Sequence, residues 1–500
     1  LNTHAKQPSS LPARQIKPAA RTGKVFVFLC VALPGVFAVL ALVFDAGLMM
    51  TTSRDYQNTT DAAAYAAATW TMMGGDENSI NTISSEYVQS HNALPGANVT
   101  TNSPPSSGPY QGVAGFSEVI VQGESPSYFL QRFAAGGQQS ITTRAVAGTK
   151  TATSPAAIML LDADPAPITV ASILSLPLYP SLLGGLEVLG LGTLTVDGAI
   201  LSNNTWGGVD EYGEQAGEFH GPPYSIACTP LVPLTCVRSS DIRTAGGVDR
   251  LLHYDALPGL DTLNLRANRM PMPDPMGNLA PPSTASDPDN VEVDDHGGVM
   301  VTLNILKPFG TVLKPGVYDW IDVTAGIARF EPGVYIIRGK HPITGIALGI
   351  TGGIVYADGV MFYVTSNSNY DPASGLPDAV ENREVAPPNT IGAQLPSVLI
   401  SPLPGSRLSG LNDPSSPYHG MLVYQRPRDR RPITILSLQT LGITQFSGTV
   451  YSRWGHAILA GSGTFNSSFA VGTMRVVTLG NISLRPSGYF PAASDVYLVE

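Results

Sequence analysis

Residues 25–44, VFVFLCVALPGVFAVLALVF, form an unbroken run of 20 residues without a charge. As a helix this run spans roughly 30 Å, the thickness of bilayer hydrocarbon. Pro34-Gly35 in its middle would break a helix in water but is tolerated in a membrane as a kink. No other stretch of the chain is comparable, so the run predicts a single transmembrane helix. The piece before it holds five basic residues, Lys6, Arg14, Lys17, Arg21 and Lys24, and no acid. That asymmetry predicts a cytoplasmic N-terminus and a translocated remainder. A secretory signal would have a shorter apolar core and a small-x-small exit. Here Asp45-Ala46-Gly47 follows directly, which predicts an uncleaved anchor.

The helix is expected to continue beyond the membrane. Leu48, Thr52, Tyr56, Thr59, Ala63, Ala66/Ala67, Trp70 and Met73 recur at three- and four-residue steps, and residues 61–68 are rich in alanine. Gly74-Gly75 then supplies the stop. The small alanine face suits either close approach by another helix or packing on its own domain.

Within this stretch lie a short basic segment, Gly23, the apolar span with its central proline, and Phe44-Asp45-Ala46-Gly47. Arg54, Gln57 and Asp61-Ala62-Ala63-Ala64-Tyr65-Ala66 follow. Residues 21–75 thereby resemble the N-terminal domain of TadE/TadG-like proteins of the bacterial Tad (tight adherence, Flp pilus) assembly system. The matching positions are Asp45, Gly47, Gln57, Asp61, Ala62 and Ala63. The resemblance implies a single-pass inner-membrane protein with a periplasmic body, linked to pilus assembly. Gly23 is not followed by the glutamate that prepilins carry at the fifth mature position, which speaks against prepilin-peptidase processing. Some TadG-like proteins also carry a von Willebrand factor A domain with an Asp-x-Ser-x-Ser metal motif. Neither Asp162-Ala163-Asp164 nor Asp413-Pro414-Ser415-Ser416 fits that motif.

Beyond the helix, residues 76–150 predict a small α/β collar. A short helix is expected around Ile80, Ile83, Tyr87 and Val88, a strand at 117–122, a helix at 126–133 and a strand at 140–146. The rest of the chain is low in charge (13% overall) and high in glycine and proline, with 52 and 42 residues. That composition favours β-rich structure over helical bundles. Apolar strands are expected at 158–161, 186–191 and 193–201, and residues 206–299 predict a long loop. Lys314-Pro315-Gly316-Val317-Tyr318 recurs as Glu331-Pro332-Gly333-Val334-Tyr335, and short alternating strands follow, such as 346–350 and 360–364. Short strands, glycine corners and an in-phase repeat predict a right-handed parallel β-helix-like solenoid over 154–500. The alternative is a β-sandwich, which would show hairpin turns instead.

Chemistry is sparse. Past the basic tail, 23 basic residues face 38 acidic ones, which argues against nucleic acid as a partner. Asp294-Asp295-His296 is the best local cluster for acid–base work or for Ca²⁺, but it lacks the spacing of an EF-hand and reads as a solvated acidic loop. The eight histidines form no HExxH pair, and GxSxG, Walker A and Rossmann fingerprints are missing. No catalytic, cofactor or metal residue is therefore assigned. Cys30 belongs to the apolar run. Cys228 and Cys236, eight positions apart in an exported segment, are a disulfide candidate if their Cα atoms approach closely enough.

The organisation expected is a basic cytoplasmic tail (1–24), a transmembrane and extended helix (25–75), the collar (76–150) and a β-helix-like body. The expected function is a membrane-anchored, non-enzymatic component or accessory of Tad/Flp pilus assembly. It would sit in the bacterial inner membrane and present a rigid surface, periplasmic or extracellular, to pilus-assembly or envelope proteins. The alternatives are an anchored carbohydrate-active β-helix enzyme and a surface adhesin that binds glycan without cleaving it.

Overall fold

The computed structural model describes residues 24–72, 74–92, 94–126, 128–129, 139–151, 155–165, 184–230, 235–306, 309–388, 395–438, 445–487 and 494–499. The chain divides into two compact units, one of residues 1–148 with 498–500 and one of residues 149–497. The long helix and residues 76–148 thus fall within the first unit, and Leu498 returns to it.

In the first unit, helix α1 (Lys24–Met72) is continuous from the apolar run through the alanine block. It ends where Gly74, at φ +79°, lets the chain turn back, with Gly75 N–H donating to Trp70 O at 2.9 Å. Helix α2 (Glu77–Glu86) starts on Asp76, whose side chain caps Ser79 N–H, and runs into a wide turn at Tyr87–His91. Strands Asn98–Asn102, Phe116–Ser125 and Gln139–Thr151 pair antiparallel, and Val499 N–H donates to Val146 O at 2.9 Å. The first of these strands was illegible because Asn-Val-Thr-Thr-Asn has no apolar alternation. The helix expected at 126–133 lies largely outside the described residues, and Tyr128-Phe129 form a bend.

The alanine face of α1 is buried in its own unit. Ala63, Ala64, Ala67 and Ala68 are fully enclosed, as are Val119, Val121, Ala145 and Val146 of the sheet. Small side chains let helix and sheet close to hydrogen-bonding distance. Thr71 Oγ1 lies 2.9 Å from Ser117 Oγ, and Thr60 Oγ1 lies 2.5 Å from Thr143 Oγ1.

Among the described residues the second unit is mainly β, a 21-stranded sheet whose strand pairs run parallel. From Gly298 onward the chain visits three ladders in rotation. One holds Gly298–Val301, Trp320–Val323, Leu348–Ile350, Val398–Ile400 and Ile433–Leu438. The second holds Thr311–Leu313, Ile327–Phe330, Ile354–Ala357 and Arg407–Ser409. The third holds Gly316–Tyr318, Gly333–Ile337, Val360–Val364 and Met421–Gln425. The long strand Gln445–Leu484 bends through all three and carries the pairing on to Ala156–Leu160, Gly184–Gly190 and Leu194–Ser202. In the first ladder the register stacks like on like. Val301, Val323, Ile350, Ile400, Ile435 and Leu459 oppose one another in succession and are buried in one core. The two Pro-Gly-Val-Tyr copies stand in the third ladder. Gly316 and Gly333 take φ near +134° and +137°, which only glycine adopts without strain. A Cβ on Gly316 would also lie 2.6 Å from Asp294 O.

The segment 206–299 is not one long loop. It contains strands Tyr224–Pro230, Val237–Thr244, Tyr254–Ala256 and Asn264–Arg266, stacked in parallel on earlier strands. Their apolar residues are interrupted by Ser, Arg, Asp and Cys, so no alternation marks them. The part from 267 to 297 does wrap the body. Met272, Met276, Leu279 and Val291 lie on the outer side of the third ladder. There Tyr363, Tyr424 and Tyr451 oppose one another, with neighbouring rings 5.0 and 5.2 Å apart. These side chains point away from the main core, yet the strap covers them completely. Their hydroxyls satisfy themselves on nearby polar groups. Tyr451 donates to Asp274 Oδ2 at 2.8 Å, and Tyr363 to Asp378 Oδ2 at 2.7 Å.

Candidate membrane-anchor and assembly interface

The first 20 residues after Lys24 leave their apolar side chains bare. Val25, Phe26, Phe28, Val31 and Phe37 are each well over half exposed. So much apolar surface on one helix demands an apolar environment. Where the run ends, Asp45 is 2% exposed. Its carboxylate accepts hydrogen bonds from the backbone N–H groups of Tyr128 (3.2 Å) and Phe129 (2.9 Å). Phe44 meets the rings of Tyr128 and Phe129 edge-on, with centroids 6.4 and 6.0 Å away. Both rings remain largely exposed, and with Pro34, Phe37, Ala38 and Phe44 they line an apolar cleft. Aromatic residues at the end of an apolar span suit the membrane–water boundary. Asp45 therefore sets which part of the helix the aromatic bend lies against.

The next motif residues hold the helix to the sheet. Gln57 donates to Asp61 Oδ1 at 2.7 Å and to Arg144 O at 3.3 Å. Ala63 is fully buried and Ala62 half-buried. Gly47 is different: a Cβ there would meet nothing within 4 Å, so steric fit in this chain does not demand glycine. The Flp pilus-assembly TadE/G-like (Tad) family model matches residues 23–69. This segment is a TadE/G-like domain. All six motif positions lie inside the TadE/G-like domain, and its long apolar helix makes the protein membrane-anchored. No curated protein matches the chain. Among solved structures the chain is similar to the crystal structure of an ice binding protein from an Antarctic biological consortium. The identity is 11% and the TM-score 0.16, over 65% of this chain and 94% of that one. A TM-score that low is too slight to define a fold.

The remaining candidates lie away from the TadE/G-like domain. Cys228 and Cys236 form a disulfide with Cα atoms 6.4 Å apart. Beside it Asp249 Oδ2 accepts from Cys228 N–H at 3.1 Å and lies 2.7 Å from His253 Nδ1, while Tyr254 donates to Asp249 Oδ1 at 2.6 Å. Cys228 Sγ, Asp249 and His253 are close enough to surround a metal ion. The sulfur is bonded in the disulfide, however, and offers no thiolate. Asp295 Oδ1 caps Gly297 N–H at 3.0 Å and Oδ2 pairs with Arg338. His296 Nε2 reaches Pro315 O at 3.1 Å and its ring packs on Tyr318. The Asp294-Asp295-His296 cluster is thus engaged in a turn and in packing. The run Arg426-Pro427-Arg428-Asp429-Arg430-Arg431, overlooked in the sequence, gathers with Arg338 and Lys340 along one cleft.

Proposed function

We propose that this protein is a single-pass, non-enzymatic component or accessory of Tad/Flp-type pilus assembly. The match of residues 23–69 to the TadE/G-like family carries this reading. The basic residues before Val25 support an inner-membrane location with the N-terminus cytoplasmic and the body periplasmic or extracellular. The body is read as a parallel β-helix, supported by the rotation of the chain through three parallel ladders. Such a stack is rigid because each round is hydrogen-bonded on both sides, and it suits a protein that presents surface to envelope partners. Engagement of the Asp295 and His296 side chains within the fold favours presentation over catalysis.

Crosslinking in native membranes, followed by identification of the attached proteins, tests this reading. Recovery of pilus-assembly subunits is expected. Their consistent absence would overturn the assembly role and leave a membrane-anchored β-protein.

A further inference from the structure

The cleft of about 550 Å³ at one corner of the body is basic in an acidic protein. Arg338, Lys340, Arg426, Arg428, Arg430 and Arg431 all line it. They are six of the 23 basic residues that follow the N-terminal tail, gathered on one cleft. They come from two rounds of the stack: Arg338 and Lys340 follow strand Gly333–Ile337, while the others follow strand Met421–Gln425. Ser366 and Ser368, which follow strand Val360–Val364, lie on the round between them.

Several of these charges are held from behind. Arg426 is paired with Glu381 and Asp378, and Arg338 with Asp295 and Asp319. Arg431 grips Asp429, the only carboxylate among the lining residues described. Arg430 is 7% exposed; its Nη1 stands 3.8 Å from Asp162, and its Nε is buried without a hydrogen-bond partner. A buried guanidinium N–H left open is costly unless something fills the site. Lys340 is exposed and Arg428 half-exposed at the mouth. A guanidinium has five donors in a planar fork, so an arginine fixed by one carboxylate still has N–H groups to offer another anion.

The other lining groups are those a sugar needs. Ser366, Ser368 and the backbone at Gly339 provide hydroxyl and amide groups, and Pro387-Pro388 provide a flat apolar face. Neighbouring rounds of parallel strands lie roughly 4.8 Å apart, comparable with the length of one sugar unit. We infer that this corner cleft binds a linear anionic saccharide, whose acidic groups meet the arginines while its hydroxyls meet Ser366, Ser368 and Gly339. The acidic surface elsewhere disfavours an extended polyanion and confines the contact to the cleft. This inference does not depend on the pilus-assembly reading.

Full-length protein in lipid nanodiscs, titrated with tetragalacturonate by calorimetry, is the test. Binding is expected, weakening with added salt. It should fall about tenfold in Lys340→Ala/Arg428→Ala, where two charge-assisted contacts are lost, and persist in Arg428→Lys. The uncharged maltotetraose should not bind, and inorganic phosphate should compete only weakly. Lys340 is exposed and Arg428 half-buried, and neither is hydrogen-bonded or ion-paired among the described residues, so the melting temperature should change little. Failure of tetragalacturonate to bind, or equal binding to the double variant, would overturn the inference. Equal binding of maltotetraose would remove the role of charge, and phosphate competing as strongly as the saccharide would reassign the cleft to a simple anion.

Discussion

The phenolic hydroxyl of Tyr424 donates to the backbone carbonyl of Leu279, 2.9 Å away, and so ties an outward-facing strand to the strap that covers it. Tyr418 does the same for Ala280 at 3.0 Å. The Leu279 carbonyl also receives Arg383, so deleting one donor does not orphan it. Tyr424→Phe should therefore lower stability by only about 0.5–1.5 kcal/mol. Tyr424→Ala, which empties a fully buried ring site, should cost about 3–5 kcal/mol. Denaturant titration of the two variants measures the difference.

Asp45 should act through the bend it holds. Asp45→Ala removes the acceptor for two backbone N–H groups, and hydrogen bonds to a charged group contribute about 1.5–3 kcal/mol each. Amide exchange at Tyr128 and Phe129 should accelerate markedly, while exchange in the strands of the larger unit stays unchanged. Equal protection in variant and parent would show that the carboxylate does not position the bend.

Leu348 tests the stacking register. It opposes Ile321 on one side and Val398 on the other and is fully buried. Leu348→Ala should cost about 2–5 kcal/mol. Leu348→Asp places an unpaired charge in the core and should abolish soluble, cooperatively melting protein. Unchanged yield and melting would mean that the side chain does not face inward.

The disulfide between Cys228 and Cys236 closes a short loop. By loop-closure entropy it contributes about 2.5 kcal/mol. That is too little to hold the body together, so Cys228→Ser/Cys236→Ser should melt at a lower temperature yet remain folded. Peptide mass spectrometry without reduction should recover the 228–236 bridge from envelope material. Free thiols at both positions would refute it.

Glu118 gives the smaller unit a pH dependence. Burial alone would raise its pKa, but Ser106, Ser107, Arg144 and Asn102 donate to the carboxylate and bring it down to about 2. A depressed carboxyl pKa stabilises the fold above the unfolded value and is lost as pH falls through the folded one. The contribution is fully present above about pH 4.5 and should fade between there and about pH 2. Over that interval Glu118→Gln should flatten the acid limb of a stability-versus-pH curve. A limb of unchanged steepness would assign the acid sensitivity elsewhere.

The parts legible in the sequence are those with a strong local period. The charge-free run, the alanine block and the Pro-Gly-Val-Tyr copies each marked their element, and Leu348 and Ile350 were marked by alternation. The parts that escaped depend on distant partners. Tyr363, Tyr424 and Tyr451 follow inward-facing Phe362, Val423 and Val450, and only the strap makes their outward positions buried. The strands at 224–266 are read through their stacking neighbours rather than their own composition. The basic run at 426–431 was visible as letters, but its meaning depends on Arg338 and Lys340 arriving from another round.

The ladder order carries a temporal consequence. Ala156–Leu160, early in the body, pairs with residues near 470 on one side and near 200 on the other. Ile158 and Phe469, direct neighbours, are about 310 positions apart in the chain. The chain thus starts mid-stack, builds outward, crosses on the strap to the far end and winds back until its last strand meets its first. A stack whose rounds follow chain order can assemble progressively and fray from its tips. This one is a clasp: its first strand lacks one edge until the final rounds emerge, so contact order is high and folding correspondingly slow. A body delivered across a membrane from its helix-proximal end would hold its opening strands incomplete until delivery was nearly finished, and would then lock as one cooperative piece.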